Sequence, residues 1–315
     1  GSGMLGFLPM FHGFGLAMGV HAPLTNYATS DLMATYNEKE IEKLIKARKL
    51  RYLIVVPYLA KRMLKGKTLN NPSVSNLTHA FIGADKTNPT VFTEFDSIME
   101  KNNSKCRLLE GYGLTETVTV VVVNRTFDRK PGSVGKPFPD VKLKVIDENG
   151  NTLSTNKNGQ ICISAPCLAL GYLSDKEATD KTFVTDENGI RWVLTGDEGY
   201  IDEDGFLFIK GRIKDMFKIA GFNIFPADIE DMTNKIEGVE NCAAVYIDNP
   251  DHPYVHLFIK SDSKNIGTSE LVKRVRKILS NELIKYAVPE KITVIDKLPL
   301  TNVGKIDKKK LIELD

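Results

Sequence analysis

Residues 107–117 read RLLEGYGLTET. The apolar run from Arg107 to Glu110 is a strand, and it enters a turn with glycines at positions 111 and 113. An apolar strand feeding a glycine-bearing loop is the repeating unit of a parallel α/β layer, in which ligand loops lie at the strand ends. The glycines let the backbone turn tightly and approach a ligand. Tyr112 offers a flat face, Thr115 a hydroxyl and Glu116 a hard oxygen donor for Mg²⁺. The combination suits a nucleoside monophosphate with its metal. By itself it also fits an ordinary strand–turn around a buried tyrosine.

The flanking sequence supplies the rest of the layer. Glu38 to Lys49 is an amphipathic helix with Ile41, Leu44 and Ile45 on one face. Tyr52 to Val56 is a β-branched strand stopped by Pro57, and a helix follows from about Tyr58 to Leu64. Thr78 to Ile82 is a strand and Pro89 to Lys101 a helix. From Val141 the texture changes. Strands at Val141–Ile146, Gln160–Ser164, Trp192–Leu194 and Phe206–Ile209 are punctuated by Asn149-Gly150, Asn158-Gly159, Asn188-Gly189 and Asp204-Gly205. Such turn signals predict a small antiparallel sheet or barrel. After Gly211 the alternation returns. Pro226 opens a helix, as proline does well at a first helical position. Asn241–Ile247 and Tyr254–Ile259 are strands, Glu270–Leu283 a helix and Lys291–Ile295 a last strand. The expected fold class is therefore α/β. A parallel α/β layer spans residues 4–130 and a small antiparallel β-barrel residues 131–211. A short hinge near Gly211 then leads to a small mobile α+β domain over residues 212–315.

Composition narrows the function. The chain has 315 residues, 42% hydrophobic and 26% charged, which suits two globular domains at about 150 residues each and excludes disorder. Lys+Arg 42 against Asp+Glu 40 leaves +2, so nothing draws the whole chain to nucleic acid or an anionic membrane. No stretch approaches the ~18 apolar residues of a membrane span. The apolar segment Met4–Val20 has no Lys or Arg before Lys39, so the basic region of a signal peptide is missing. Cys106, Cys162, Cys167 and Cys242 form no Cys-x-x-Cys pair and read as single buried thiols, favouring a reducing, cytoplasmic setting.

Three further stretches carry chemistry. In WVLTGDEGY, residues 192–200, Asp197 follows a glycine at a strand end. A carboxylate there can accept both hydroxyls of a ribose, or it can satisfy its own turn. In residues 211–230, Arg212 and Lys214 flank the chain as it crosses between domains, and Gly221 admits something slender; a solvated linker would look similar. In LPLTNVGKI, residues 298–306, Thr301-Asn302 and Gly304 make a mobile loop presenting Lys305. One ammonium on a loop can stabilise transient charge on phosphorus, although most lone lysines are only surface. Gly66-Lys67-Thr68 imitates the end of a phosphate loop, but Lys61 stands where its first glycine belongs. The basic cluster Lys273, Arg274, Arg276 and Lys277 reads as the wet face of a helix.

Taken in order, these motifs resemble the adenylate-forming superfamily of acyl-CoA synthetases, firefly luciferase and peptide-synthetase adenylation domains. The resemblance runs from Phe7 to about Leu311. It includes Leu8-Pro9-Met10-Phe11-His12-Gly13-Phe14-Gly15, residues 132–139 (GSVGKPFP), and Gly171-Tyr172 followed by Ala178-Thr179. It implies an AMP-forming acid–thiol ligase with ATP, Mg²⁺ and coenzyme A. A carboxylate attacks the α-phosphate of Mg·ATP, the smaller domain swings, and a thiol takes the acyl group and releases AMP. By motif, Tyr112 stacks on adenine, flanked by Gly111 and Gly113. Thr115 touches the α-phosphate and Glu116 holds Mg²⁺. Asp197 binds the ribose with Arg212 beside it. Lys305 is the adenylation lysine, Lys214 the hinge, and Lys218 serves the second conformation. Gly221 lines the pantetheine tunnel. His12, Phe81, Ile82 and Val118 border the acyl pocket. Gly83 and Ala84 form its wall and, with Asp85, run along the nucleotide.

The family's Gly- and Ser/Thr-rich pyrophosphate loop, which precedes the His12 motif, is not in this sequence. An N-terminal portion of the large domain is therefore expected to be missing, and either that segment or a homodimer partner would cover the surface it leaves. Ala84 stands where a second glycine is common. Val118, Val120, Val121, Val122 and Val123 are apolar, with no charge to pair with an amino-acid ammonium, which favours a fatty or aryl carboxylate. A plain buried strand would explain the valines as well. A carrier protein or a peptide-synthetase acceptor is the enzymatic alternative to coenzyme A, and an inactive AMP-binding remnant the other.

Overall fold

The structure, a computed structural model, describes residues 3–47, 50–66, 68–250, 252–262, 266–301 and 305–315. The chain divides into two compact units, Gly1–Thr195 with Gly199–Ile209, and Gly196–Glu198 with Lys210–Asp315.

The first unit begins β1 (Gly3–Gly6), α1 (Gly13–Leu16), a π-helical turn at Ala17–His21, α2 (Ala22–Thr25), β2 (Thr29–Leu32), α3 (Glu38–Ala47) and β3 (Leu50–Val55). It continues α4 (Pro57–Lys65), β4 (His79–Ile82), α5 (Pro89–Lys101), β5 (Leu108–Gly113), β6 (Val120–Val123) and β7 (Lys136–Pro137). These seven strands form one sheet, ordered β2-β1-β3-β4-β5-β6-β7. The first five run parallel, and β6 and β7 join antiparallel.

Local chemistry explains the helices. Pro89 begins α5 where its missing N–H costs nothing, and the Asn88 side chain accepts from Thr90 N at 2.9 Å. Val91, Phe95 and Met99, four residues apart, then share one buried stripe. α3, α4 and α5 bury that kind of stripe against Leu5, Leu53, Val55 and Ile82 on one face of the sheet. Phe14 and Met18 pack with Met4, Ile54 and Phe81 on the other. Alternate strand residues thus serve opposite layers.

β8 (Lys142–Ile146), β9 (Gly159–Ser164), α6 (Lys176–Thr182), β10 (Phe183–Thr185), β11 (Arg191–Ile201) and β12 (Leu207–Arg212) follow. The strands build an antiparallel sheet ordered β10-β11-β9-β8, with β12 on β11. Gly196 takes φ +68 inside the long β11, at the first of the three residues that group with the second unit.

The second unit opens with a hairpin, β13 (Phe217–Ile219) and β14 (Phe222–Ile224), followed by α7 (Pro226–Thr233). β15 (Val239–Ile247), β16 (Tyr254–Ser261), α8 (Thr268–Glu282), β17 (Lys291–Val294) and α9 (Lys308–Ile312) complete it. β15 and β16 are antiparallel, β16 and β17 parallel. α7 and α8 cover one face through Ile229, Leu271, Val275 and Leu279, and α9 covers the other through Leu311.

Several expectations need correction. The apolar N-terminus contains two strands and a helical segment that its sequence did not announce. β5 continues to Gly113 instead of ending at Glu110, because Gly111, Tyr112 and Gly113 still pair with β6. A Cβ at Gly113 would fall 2.0 Å from Thr119 O, so glycine is required by strand contact as well as by any ligand. Val121–Val123 are a buried strand, and only Val120 reaches the Phe14–Phe81 cluster. Cys167 is exposed, whereas Cys106, Cys162 and Cys242 are buried. Burial pushes the Cys106 thiol up to about 12 and the Cys162 thiol to about 11, so both stay protonated.

Candidate active site

Three segments of the first unit converge where parallel strands end. The segment after β1 leads to His12, whose Nδ1 accepts from Phe14 N at 3.2 Å and caps α1. The segment after β4 is Gly83-Ala84-Asp85, and the segment after β5 is 114–119. A Cβ on Gly13 would lie 1.9 Å from Val118 O, and one on Gly83 would lie 3.1 Å from Gly111 O and 3.8 Å from Phe14 Cζ. Gly13, Phe14, Gly83, Gly111 and Val118 are therefore close neighbours, and His12 stands beside them through its bond to Phe14 N. Ile82 does not join them. It is 1% exposed and faces the α5 layer, while its neighbour Phe81 faces Phe14, as strand alternation requires. Ala84 holds φ +76, a conformation that costs a residue with a Cβ about 1 kcal/mol. Asp85 is exposed and its Oδ1 accepts from Lys86 N at 2.8 Å.

The 114–119 loop is organised by a residue that the sequence reading passed over. Thr117 is fully buried and its Oγ1 accepts from Leu114 N at 2.9 Å. The same hydroxyl lies 3.0 Å from Leu114 O and 2.8 Å from Thr119 O. Thr119 N donates to Thr117 O at 2.7 Å across Val118, which sits at φ +65, ψ −49. That is the γ-turn with positive φ, rare and strained. The turn exposes Thr115 and half-exposes Glu116. Glu116 Oε1 accepts from the Tyr172 hydroxyl, and Ala169 N donates to Glu116 O at 2.8 Å. Burial, then the bond to Glu116, raises the Tyr172 phenol above its usual value, so it remains the donor. The second carboxylate oxygen has no partner among the described residues. No three His, Cys, Asp or Glu gather into a metal cage among those residues. The donor set nonetheless fits Mg²⁺, which binds through one or two carboxylates plus substrate phosphates.

In the second unit Asp197 is buried, and Arg212 Nε meets its Oδ1 at 2.9 Å. Asp197 thus lies within β11, not at a strand end. Burial and then Asp228 raise the neighbouring Glu198 carboxyl above its usual range. Lys214 is exposed in a 3₁₀ turn, Ile213–Asp215, and Lys218 is exposed on β13. Ala220 (φ +51) and Gly221 (φ +85) close the β13–β14 hairpin. Two positive φ values in a two-residue loop are what a twisted hairpin requires. A Cβ at Gly221 meets nothing within 4 Å, so the positive φ, and not a lack of space, is what the hairpin itself asks of this glycine. Asn302, Val303 and Gly304, expected as a loop, lie outside the described residues. Their flanks are joined: Thr301 N donates to Lys305 O at 2.7 Å and Leu300 bridges Ile306. Lys305 Nζ forms no ion pair among the described residues. Thr68, from the false phosphate loop, is fully buried and donates to Glu38 Oε1 at 3.2 Å.

A parallel sheet with two antiparallel strands added, an antiparallel sheet after it and a small α+β unit following form the architecture of the adenylate-forming class. The chain is a member of the AMP-binding enzyme family: residues 1–173 match that family and residues 228–305 its C-terminal domain. It is 37% identical over 206 residues to a long-chain-fatty-acid–CoA ligase of Escherichia coli O157:H7, covering 65% of this chain and 35% of the relative. It is 29% identical over 318 residues to a luciferin 4-monooxygenase of Luciola mingrelica, covering 100% and 56%. Among solved structures, ATP-bound MatB from Rhodopseudomonas palustris superposes with a TM-score of 0.87 at 27% identity, covering 99% of this chain and 60% of that one. The chain thus spans between about a third and just over half of the curated relatives' length. No described helix is long and apolar enough to cross a membrane.

Proposed function

We propose that the complete protein is an AMP-forming acid–thiol ligase that activates a fatty or aryl carboxylate and passes the acyl group to coenzyme A. In the first half-reaction a carboxylate oxygen bonds to the α-phosphorus of ATP and pyrophosphate leaves. In the second a thiol sulfur bonds to the acyl carbon and AMP leaves with the electron pair. Mg²⁺, when bound, supplies charge neutralisation on the phosphates. Thr115 and Glu116 would hold the phosphates and that ion, Tyr112 would stack on adenine, and the Asp197–Arg212 pair would take the ribose. Lys305 would stabilise charge at the α-phosphate. Lys214 would be the pivot between half-reactions, after which Lys218 and Gly221 would face the thiol. Phe14, Phe81 and Val118, beside His12, would form the apolar end of the carboxylate site. The names of the relatives, a long-chain-fatty-acid–CoA ligase and a 4-coumarate-CoA ligase of Narcissus pseudonarcissus, support that substrate class.

The observation that carries this reading is Lys305, whose ammonium has no ion pair among the described residues and whose backbone is tied to Thr301. In the complete protein, Lys305→Ala should cut ATP–pyrophosphate exchange by ~10²-fold or more, the scale of a lost electrostatic stabiliser. Thioester formation from supplied acyl-AMP should be spared. Equal losses in both half-reactions would remove Lys305 from the first step.

A further inference from the structure

The Gly171-Tyr172…Ala178-Thr179 stretch is far in sequence from the loop it touches and has no role in the reading above. We propose that it is a brace whose Tyr172 is the positioning residue for the Glu116 carboxylate. The inference rests on Glu116 being the cation ligand.

The brace is anchored on two sides. Arg191, on β11, donates from Nη1 to Ala169 O at 2.7 Å and from Nη2 to Leu170 O at 2.8 Å. Its guanidinium lies 4.4 Å from the centre of the Phe183 ring, and the Tyr172 ring lies 5.9 Å from that same phenylalanine. On the other side Thr179, in α6, accepts from Tyr172 N at 2.8 Å and donates to Asp175 O at 2.8 Å. A Cβ on Gly171 would strike Thr179 Cγ2 at 2.6 Å, so only glycine lets the two approach. The anchored segment then grips Glu116 twice, through Ala169 N to its carbonyl and through the Tyr172 hydroxyl to Oε1.

A glutamate side chain has three rotatable bonds and two equivalent oxygens. A hydrogen bond to Oε1 from a neutral donor restricts the carboxylate and leaves Oε2, which has no partner among the described residues, as the oxygen for a cation. A ligand held in one orientation binds a cation without first losing that freedom, which is why partners of metal ligands matter nearly as much as the ligands. Tyr172 would contact neither nucleotide nor ion and would act only through Glu116.

The test is the gain in ATP affinity that Mn²⁺ confers, measured by calorimetry on the complete protein with and without the metal. Tyr172→Phe should lose about tenfold of that gain, the lower end for a removed ligand partner, while metal-free ATP affinity stays unchanged. A merely structural loss would weaken both. Thr179→Val, which deletes the acceptor for Tyr172 N, should lose part of the gain and carries the test if Tyr172→Phe unfolds. Glu116→Gln should abolish the gain. A Tyr172→Phe or Thr179→Val chain that retains the full gain while Glu116→Gln loses it overturns the brace alone. Retention by Glu116→Gln, or no gain in the wild type, overturns the assignment of Glu116 and the brace with it.

Discussion

Val118 offers a measurement in which two small substitutions should move stability in opposite directions. It is β-branched, its φ is +65, and its side chain is 47% exposed. Such local strain costs about 1–3 kcal/mol. Glycine at this position removes most of that cost but gives the unfolded chain more freedom, a loss of about 0.4–1 kcal/mol. It also gives up the half-buried isopropyl group, worth roughly 1 kcal/mol. With strain near the middle of its range, Val118→Gly should come out more stable by about 0.5 kcal/mol, with an upper limit near 1.5. Alanine keeps the Cβ and therefore the strain, yet loses two methyls, so Val118→Ala should be less stable by about 0.5–1 kcal/mol. Urea unfolding followed by Trp192 fluorescence reads this cleanly, because Trp192 is the sole tryptophan, is buried, and lies in the same unit. A Val118→Gly chain less stable than Val118→Ala would refute the strain argument.

Three other outcomes are expected. Asp197→Ala should weaken AMP binding by about tenfold or more in calorimetry, the scale of hydrogen bonds to a charged group; unchanged affinity would rule out the ribose contact. In the complete enzyme Gly221→Leu should leave pyrophosphate exchange intact and cut thioester formation by at least about tenfold relative to Gly221→Ala, which carries the same backbone strain without the bulk; equal coenzyme A turnover by the two variants would count against the tunnel. His256 is buried between Asp315, at 2.6 Å from Nδ1, and Thr293, at 2.8 Å from Nε2, with Lys291 and Tyr254 on the same carboxylate. Burial holds its imidazole below the usual value despite the pull of Asp315. The folded state therefore prefers the neutral ring, and its contribution is whole above about pH 6.5 and is lost as pH falls toward the depressed value. Hydrogen exchange at β16 amides, corrected for intrinsic rates, should quicken from pH 7.5 to 5.5, and His256→Asn should flatten the trend. A trend that persists in the variant would exclude this histidine.

What the sequence disclosed depended on whether the physics was local. α5 was legible to the residue, because Asn88-Pro89 is a start signal and Val91, Phe95 and Met99 keep helical spacing. β1 was not, since its four residues are all buried and so show no alternation. The extension of β5 through Gly113 has no local signal, because glycine commonly marks a turn, whereas here it serves close strand contact. Motif order singles out Tyr112, Thr115, Glu116 and Asp197 as candidates. It does not single out their partners, for Tyr172 and Glu116 are 56 positions apart and nothing local couples them. The γ-turn had no signal at all, because valine stands at the position where backbone geometry would favour glycine.

The mixed character of the first sheet bears on how this protein can vary. β5 is held in parallel register by β4 on one side and in antiparallel register by β6 on the other. The segment carrying Thr115 and Glu116 is therefore a hairpin loop with both ends clamped, and its length is part of the site. A residue inserted or deleted between Leu114 and Thr119 must be absorbed by sliding β6, and a slide of one residue turns Val121 and Val123 to the opposite face. Drift in this lineage should accordingly proceed by exchange of side chains at fixed length here, while insertions and deletions collect at turns such as Asn149-Gly150 and Asn188-Gly189, where the added chain meets only solvent.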